Sequence, residues 1–136
     1  MRQTRLHAFV VSILCASVFV VLGSSSANAQ RTRIAGAWRG NGVVSLVTGE
    51  REKVRCRATF RRRSKTTISM KAICATAAAR VSQTALLKKG SRNRYAGTFH
   101  NAEYGVSGQI RVTIRGRRLS AALTSDVANA KLYLRR

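Results

Sequence analysis

The sequence has 136 residues, with 26 Lys and Arg against 4 Asp and Glu, a formal net charge of +22. That length suits one ordinary domain, and the charge lies far from that of an average soluble enzyme. Three cysteines, two histidines and four acids leave little material for metal or acid–base chemistry.

The chain opens on Arg2 and Arg5 and continues into an uncharged run over residues 8–22. Gly23-Ser24-Ser25-Ser26 breaks that run, and Ala27-Asn28-Ala29 supplies an A-x-A exit before Gln30. A charged start, an apolar run and a small-residue exit predict a secretory signal peptide over 1–29. Cleavage is expected near Ala29, and the destination is periplasmic or secreted. The run falls short of the roughly 20 residues a helix needs to cross hydrocarbon, so no transmembrane segment is expected in the mature chain. Arg2, Arg5, His7 and Cys15 leave with the signal. The mature 30–136, read as a single β-rich domain, keeps 24 of the 26 basic residues and all 4 acids, for a net charge of +20. Its one histidine is His100. Its two cysteines, Cys56 and Cys74, are expected to form one disulfide, because paired cysteines in an exported chain read as a bridge rather than a metal site.

Period-two alternation recurs along the mature chain and predicts half-buried strands. Residues 36–47 carry Trp38, Val44 and Leu46 on one face, with Gly40 and Gly42 between them. Glycines there suggest a bulge or a close approach of another strand. Residues 53–60 set Val54, Cys56, Ala58 and Phe60 against Lys53, Arg55, Arg57 and Thr59. After a charged turn, Arg61-Arg62-Arg63-Ser64-Lys65, residues 66–75 set Ile68, Met70, Ala72 and Cys74 against Thr67, Ser69 and Lys71. If these two strands pair, both sulfurs face the core and the bridge fixes register. Residues 76–89 admit two readings. Thr76 is placed to cap a short helix that Lys88-Lys89-Gly90 would end, whereas a strand would line Val81, Ala85 and Leu87 on one face. Further strands are expected over 94–100 (Tyr95, Gly97 and Phe99 inward) and 105–115 (Val106, Gly108, Ile110, Val112 and Ile114 inward). The turn Arg115-Gly116-Arg117 leads into Leu119, Ala121 and Leu123, and Leu132 and Leu134 face inward at the end. Seven or eight short strands separated by turns predict an all-β fold, a small antiparallel barrel or sandwich with one disulfide.

The search for chemistry is nearly empty. His100 and Asp126 are the only material for a Ser-His-Asp device, and nothing in their local sequence supports one. Glu50 and Glu52, amid Arg51, Lys53 and Arg55, read as a solvated charge cluster. Ligands for a metal are lacking, and Gly40-Asn41-Gly42 lacks the helix and lysine of a phosphate loop. No catalytic residue, metal or cofactor is expected, and the chain is read as a non-enzyme.

The positive charge remains. Arg55 and Arg57 project from one strand, Arg61, Arg62, Arg63 and Lys65 continue into the turn, and Lys71 has outward parity on the next strand. Together they are candidates for a surface that binds phosphates or carboxylates, for which the planar arginine fork is suited. Arg115, Arg117 and Arg118 at one turn, and Arg135 and Arg136 at the end, are secondary clusters. A charge of this size exceeds what solubility requires and must cost self-repulsion. Of the aromatics, Trp38, Phe60, Tyr95 and Phe99 have core parity, leaving Tyr104 and Tyr133 for the surface. That pattern and the exported address make nucleic acid an unlikely partner. An anionic envelope polymer or lipid surface, such as lipopolysaccharide, anionic lipid or acidic polysaccharide, fits better. The alternative is a small periplasmic inhibitor or interaction module that docks onto an acidic protein.

Trp38-Arg39-Gly40-Asn41-Gly42-Val43, the strand from Gly49 through Glu52 to Val54-Arg55-Cys56-Arg57-Ala58, and Cys74-Ala75 resemble a family of small exported alphaproteobacterial β-rich proteins. Val106-Ser107-Gly108 and the basic end Leu134-Arg135-Arg136 extend the resemblance over most of the mature chain. It implies a disulfide-bonded β domain, a strand rather than a helix within 76–89, and no particular activity. The chain departs from the family at Ala77-Ala78-Ala79 and at the Arg61-to-Lys65 turn, which is more Gly-rich in relatives.

Overall fold

A computed structural model describes residues 33–136; the expected signal peptide lies outside the described residues. Eight strands follow one another as a meander: β1 (Gly36–Leu46), β2 (Arg51–Arg62), β3 (Thr67–Ala75), β4 (Arg80–Lys89), β5 (Arg94–Asn101), β6 (Val106–Arg115), β7 (Arg118–Thr124) and β8 (Ala128–Arg135). Each pairs antiparallel with the next, and β8 returns to β1, so the sheet closes into a barrel without a free edge. The expected all-β architecture is therefore a barrel and not a sandwich.

The alternation in the sequence maps onto the two faces of the wall. Val54, Cys56, Ala58 and Phe60 of β2 are buried while the residues between them are exposed. Cys56 lies directly opposite Cys74 in the β2–β3 register, and the two are joined as a disulfide inside the barrel.

Residues 76–89 resolve in favour of the strand. Thr76 does act as a cap, its Oγ1 accepting the backbone N–H groups of Ala78 and Ala79 at 3.2 and 3.1 Å, but the cap organises only a turn. Pairing of Arg80 through Lys88 with β3, then of Thr84 onward with β5, overrides the local helix preference of the alanines. No helix appears among the described residues.

The two ends of the barrel differ. Strands β1, β3, β5 and β7 run from the end that holds both described termini toward the other. At the terminal end one large inward side chain from each strand forms a packed layer: Trp38, Phe60, Ile68, Leu87, Tyr95, Ile114, Leu119 and Leu134. Ile34 plugs it from outside the sheet, its carbonyl accepting the Trp38 indole N–H at 2.8 Å. Each such fully buried side chain contributes about 1.5–3 kcal/mol. Midway along the barrel smaller inward residues, Ala58, Ala72, Ala85 and Ala121 with Gly42 and Gly108, pack beside Phe99 and Leu132, and beyond them the interior opens at the other end. Gly40 permits the wall to bend: a Cβ there would lie 1.9 Å from the Tyr133 carbonyl oxygen. This is the close approach that the sequence suggested.

Candidate functional site

The candidate residues fall on the outer wall and the closed end. Arg55, Arg57 and Arg61 project outward from β2, and Lys71 projects from β3 opposite Thr59, between Arg57 and Arg61 in register. Arg62, Arg63 and Lys65 surround the β2–β3 turn and are exposed. The Arg62 guanidinium donates to the Lys65 carbonyl at 3.5 Å, and Ser64 Oγ accepts the N–H groups of Thr66 and Thr67. All seven candidates thus share one side of the barrel and its closed end.

Barrel closure adds residues that the sequence could not assemble. Arg57 lies opposite Arg39, Arg39 opposite Arg135, Arg135 opposite Arg118, and Arg118 opposite Arg115. These five exposed arginines form one continuous cross-strand row over five of the eight strands. Directly opposed side chains stand about 5 Å apart at Cβ, where like charges repel. No acid occupies a position in the row. One step toward the open end, Asn41, Tyr133, Ser120 and Thr113 form a parallel track of amide and hydroxyl groups, flanked by Arg55 and Arg94. Tyr133 is 66% exposed within it. A further row alternates Lys53, Lys131 and Arg111 with Val43 and Ala122.

The charges are also sorted along the barrel axis. Around the closed end lie Arg61 to Lys65, then Lys88, Lys89, Arg92 and Arg94 at the β4–β5 turn, and Arg115, Arg117 and Arg118 at the β6–β7 turn. Arg33, Arg135 and Arg136 join them at the termini. Glu50, Glu52, Glu103 and Asp126, the whole acid content of the chain, lie at the opposite end.

That opposite end opens on a cavity of about 420 Å³ within the barrel, walled by Val54, Val81, Val106, Leu123, Ala130 and Leu132. Its turns are tied by side-chain oxygens: Thr76 as described, Ser125 Oγ accepting Val127 and Ala128 N–H, and Asn101 Oδ1 accepting Glu103 and Tyr104 N–H. His100, exposed on the outer wall of β5, pairs with Ser107 Oγ through Nδ1 at 2.8 Å. Outward parity on paired strands explains that contact, which sequence reading did not foresee. No carboxylate hydrogen-bonds to this imidazole among the described residues, so the pair lacks the orienting third group of a nucleophilic triad. Among the described residues no cluster of His, Cys, Asp and Glu is arranged to hold a metal ion.

Comparison with solved structures places the barrel beside designed ones. A redesigned β-barrel, mFAP1, bound to DFHBI, is similar at 13% identity and TM-score 0.64, over 75% of this chain and 94% of that chain. A de novo designed fluorescence-activating β-barrel is similar at 15% identity and TM-score 0.60, over 78% and 95% of the two chains. At such identities the likeness shows the fold alone. No family model and no curated protein matches the sequence.

Proposed function

We propose that this protein is a non-enzymatic binder of an anionic cell-envelope component, held on the arginine row and the closed end of the barrel. The observation that carries the reading is the opposition of Arg57, Arg39, Arg135, Arg118 and Arg115 across five adjacent strands with every acid at the far end. Such a row costs stability in the free protein and repays it only when an anion lies along it. The exported address read from the sequence supplies the envelope.

Curvature favours one kind of ligand. Five of eight strands span more than half the circumference, so a flat bilayer pressed against the wall reaches only two or three of the arginines together. A flexible chain follows the whole row. The adjoining Asn41, Tyr133, Ser120 and Thr113 offer hydrogen bonds and an aromatic face to hydroxyl-bearing units. A phosphate- or carboxylate-bearing glycan, as in lipopolysaccharide or acidic polysaccharide, matches both features better than a bare anionic lipid surface.

Titration with purified lipopolysaccharide, an acidic polysaccharide and anionic vesicles tests this. Binding to the glycans is expected to weaken by about tenfold or more between roughly 50 and 200 mM NaCl, as counterion release requires for several contacts. It should fall further in Arg39→Ser/Arg135→Ser than in a pair of equal charge change on the open half, Arg51→Ser/Arg80→Ser. Salt-insensitive binding, or equal loss in both pairs, would sink the reading. Capture of one acidic protein from lipid-free and glycan-free envelope extract would instead favour a protein-docking module.

A further inference from the structure

We propose that the open end of the barrel is a second binding site, for a small apolar molecule whose polar end is neutral or cationic. Eight-stranded barrels either fill their interior with side chains or hold one small ligand. Here the closed half is filled and the open half is not. The cavity of about 420 Å³ falls within the range of small-molecule sites. Its wall is mostly apolar, aliphatic side chains together with Phe99 and the Cys56–Cys74 bridge, with Gln83 and Asn101 among its few polar members, and such a surface favours an apolar occupant over ordered water. The space is walled by inward residues of the strands themselves, among them Val54 of β2, Cys74 of β3, Val81 of β4 and Leu123 of β7, and the turns at the open end frame its mouth.

Two polar features set the chemistry of the occupant. Asn101 is only 5% exposed and lines the cavity. Its Oδ1 is occupied by the turn N–H groups at 3.0 and 3.2 Å, while its amide nitrogen has no partner among the described residues. With its oxygen so engaged and the residue lining the cavity, the amide is left its N–H groups to offer to an acceptor there. Glu52, which shares the inward parity of Val54, stands at the rim and lines the same cavity. Glu50, Glu103 and Asp126 lie in the turns around the mouth. A carboxylate or phosphate head entering there meets like charge from these four acids, which outnumber Arg51 and Arg80 at the same rim, whereas an alcohol, ester, amide or amine is not repelled by them. Val127 and Tyr104, respectively 42% and 62% exposed, give the mouth an apolar lip along which such a molecule enters.

This site lies at the opposite end from the cationic cap, so its ligand differs in charge from the anion proposed for the wall, and the two do not compete. The test uses the uncharged dye Nile red, followed by fluorescence on the folded protein, with displacement by three molecules of one chain length: decanol, decylamine and decanoate. The dye is expected to bind at one site per barrel and to stay bound when saturating lipopolysaccharide-derived glycan is added. Ala130→Phe, which fills the cavity, should weaken dye binding by at least about tenfold. Val81→Phe fills the same space from another strand and serves if the first variant does not fold. Decanoate should displace the dye at concentrations at least about fivefold above decylamine, the order expected for one unit charge near the mouth, and Glu52→Gln should narrow that gap. Dye binding unchanged in a folded filled variant, or displacement by decanoate as strong as by decylamine, would overturn the proposal. Failure of the glycan titration would leave these outcomes untouched, since they read a different surface.

Discussion

Arg136 holds its guanidinium 4.6 Å from the centre of the Trp38 ring and donates to the Ala35 carbonyl at 3.1 Å. The last residue of the chain thereby covers the plug made by its first described residues, with Trp38 bonded in turn to Ile34. Arg117 fixes the far side by donating from Nε to the Arg136 carbonyl at 2.9 Å. The closed end is a knot of side chains from positions far apart in sequence, and every charged side chain on it is cationic.

Arg136→Ala should therefore destabilise the barrel despite removing a positive charge from a crowded end. A cation over an indole and a hydrogen bond to a carbonyl are together worth about 1–2 kcal/mol when partly shielded. Urea unfolding at moderate salt should show the loss. Trp38 is the single tryptophan, so its emission should shift to longer wavelength in the same variant as water reaches the ring. An unchanged midpoint and unchanged emission would show that the stacking contributes nothing.

The Cys56–Cys74 bridge joins residues 18 apart in sequence that face each other in register. Constraining a loop of that length in the unfolded chain stabilises by about 3 kcal/mol. The double variant Cys56→Ala/Cys74→Ala, which leaves no lone thiol among the described residues, should lose about that amount in urea unfolding. The loss should match that of the wild type under reducing conditions. A loss in the double variant that reduction of the wild type does not reproduce would show that the sulfurs act through packing instead.

Much of this fold was legible because period-two alternation survives wherever one face is buried. Val54 to Phe60, Ile68 to Cys74 and Ile110 to Ile114 are inward as their spacing demands, and the Cys56–Cys74 bridge, expected from the two cysteines left after the signal, agrees with the same parity. The segment after Cys74 was not legible from its own residues. Thr76 and the alanines carry a true local preference, and only pairing with two neighbouring strands overrides it. The candidate site was half legible. Arg55, Arg57 and Lys71 were readable as outward, but Arg39 joins Arg57 and Arg135 only through register and closure, which no single strand encodes. The sorting of Glu50, Glu52, Glu103 and Asp126 to one end was likewise invisible until the direction of each strand was known.

Like charges held face to face on a sheet destabilise by about 0.2–1 kcal/mol per pair. Arg39 has two such neighbours, Arg57 and Arg135. Arg39→Thr, which keeps a good strand former, should raise the melting temperature at low ionic strength by several degrees, since about 1 kcal/mol is worth roughly 4–8 °C in a domain of this size. The gain should vanish near 1 M salt, where the screening length falls to about 3 Å. Wild-type protein should itself become more stable as salt is added. If the variant is no more stable than wild type at low salt, the row is relaxed by solvent and the argument for an anion along it loses its energetic basis.

Gly97 faces inward between Tyr95 and Phe99, opposite Leu87 of β4 and Ile110 of β6. A Cβ added there would lie 1.8 Å from the Leu86 carbonyl oxygen and 2.8 Å from its carbon, both backbone atoms of the neighbouring strand. No side-chain rotation relieves that overlap, so β4 and β5 must separate locally and give up ladder hydrogen bonds. Gly97→Ala should therefore cost more than about 3 kcal/mol, at the upper end of what single substitutions do. Gly105→Ala is a useful contrast: no atom lies within 4 Å of a Cβ there, and only the positive φ of 63° opposes the change. Its cost should stay near 1 kcal/mol. Urea unfolding of the two variants side by side separates steric closure of the barrel from turn strain. Equal costs would mean that the bend at Gly97 is not required to close the wall.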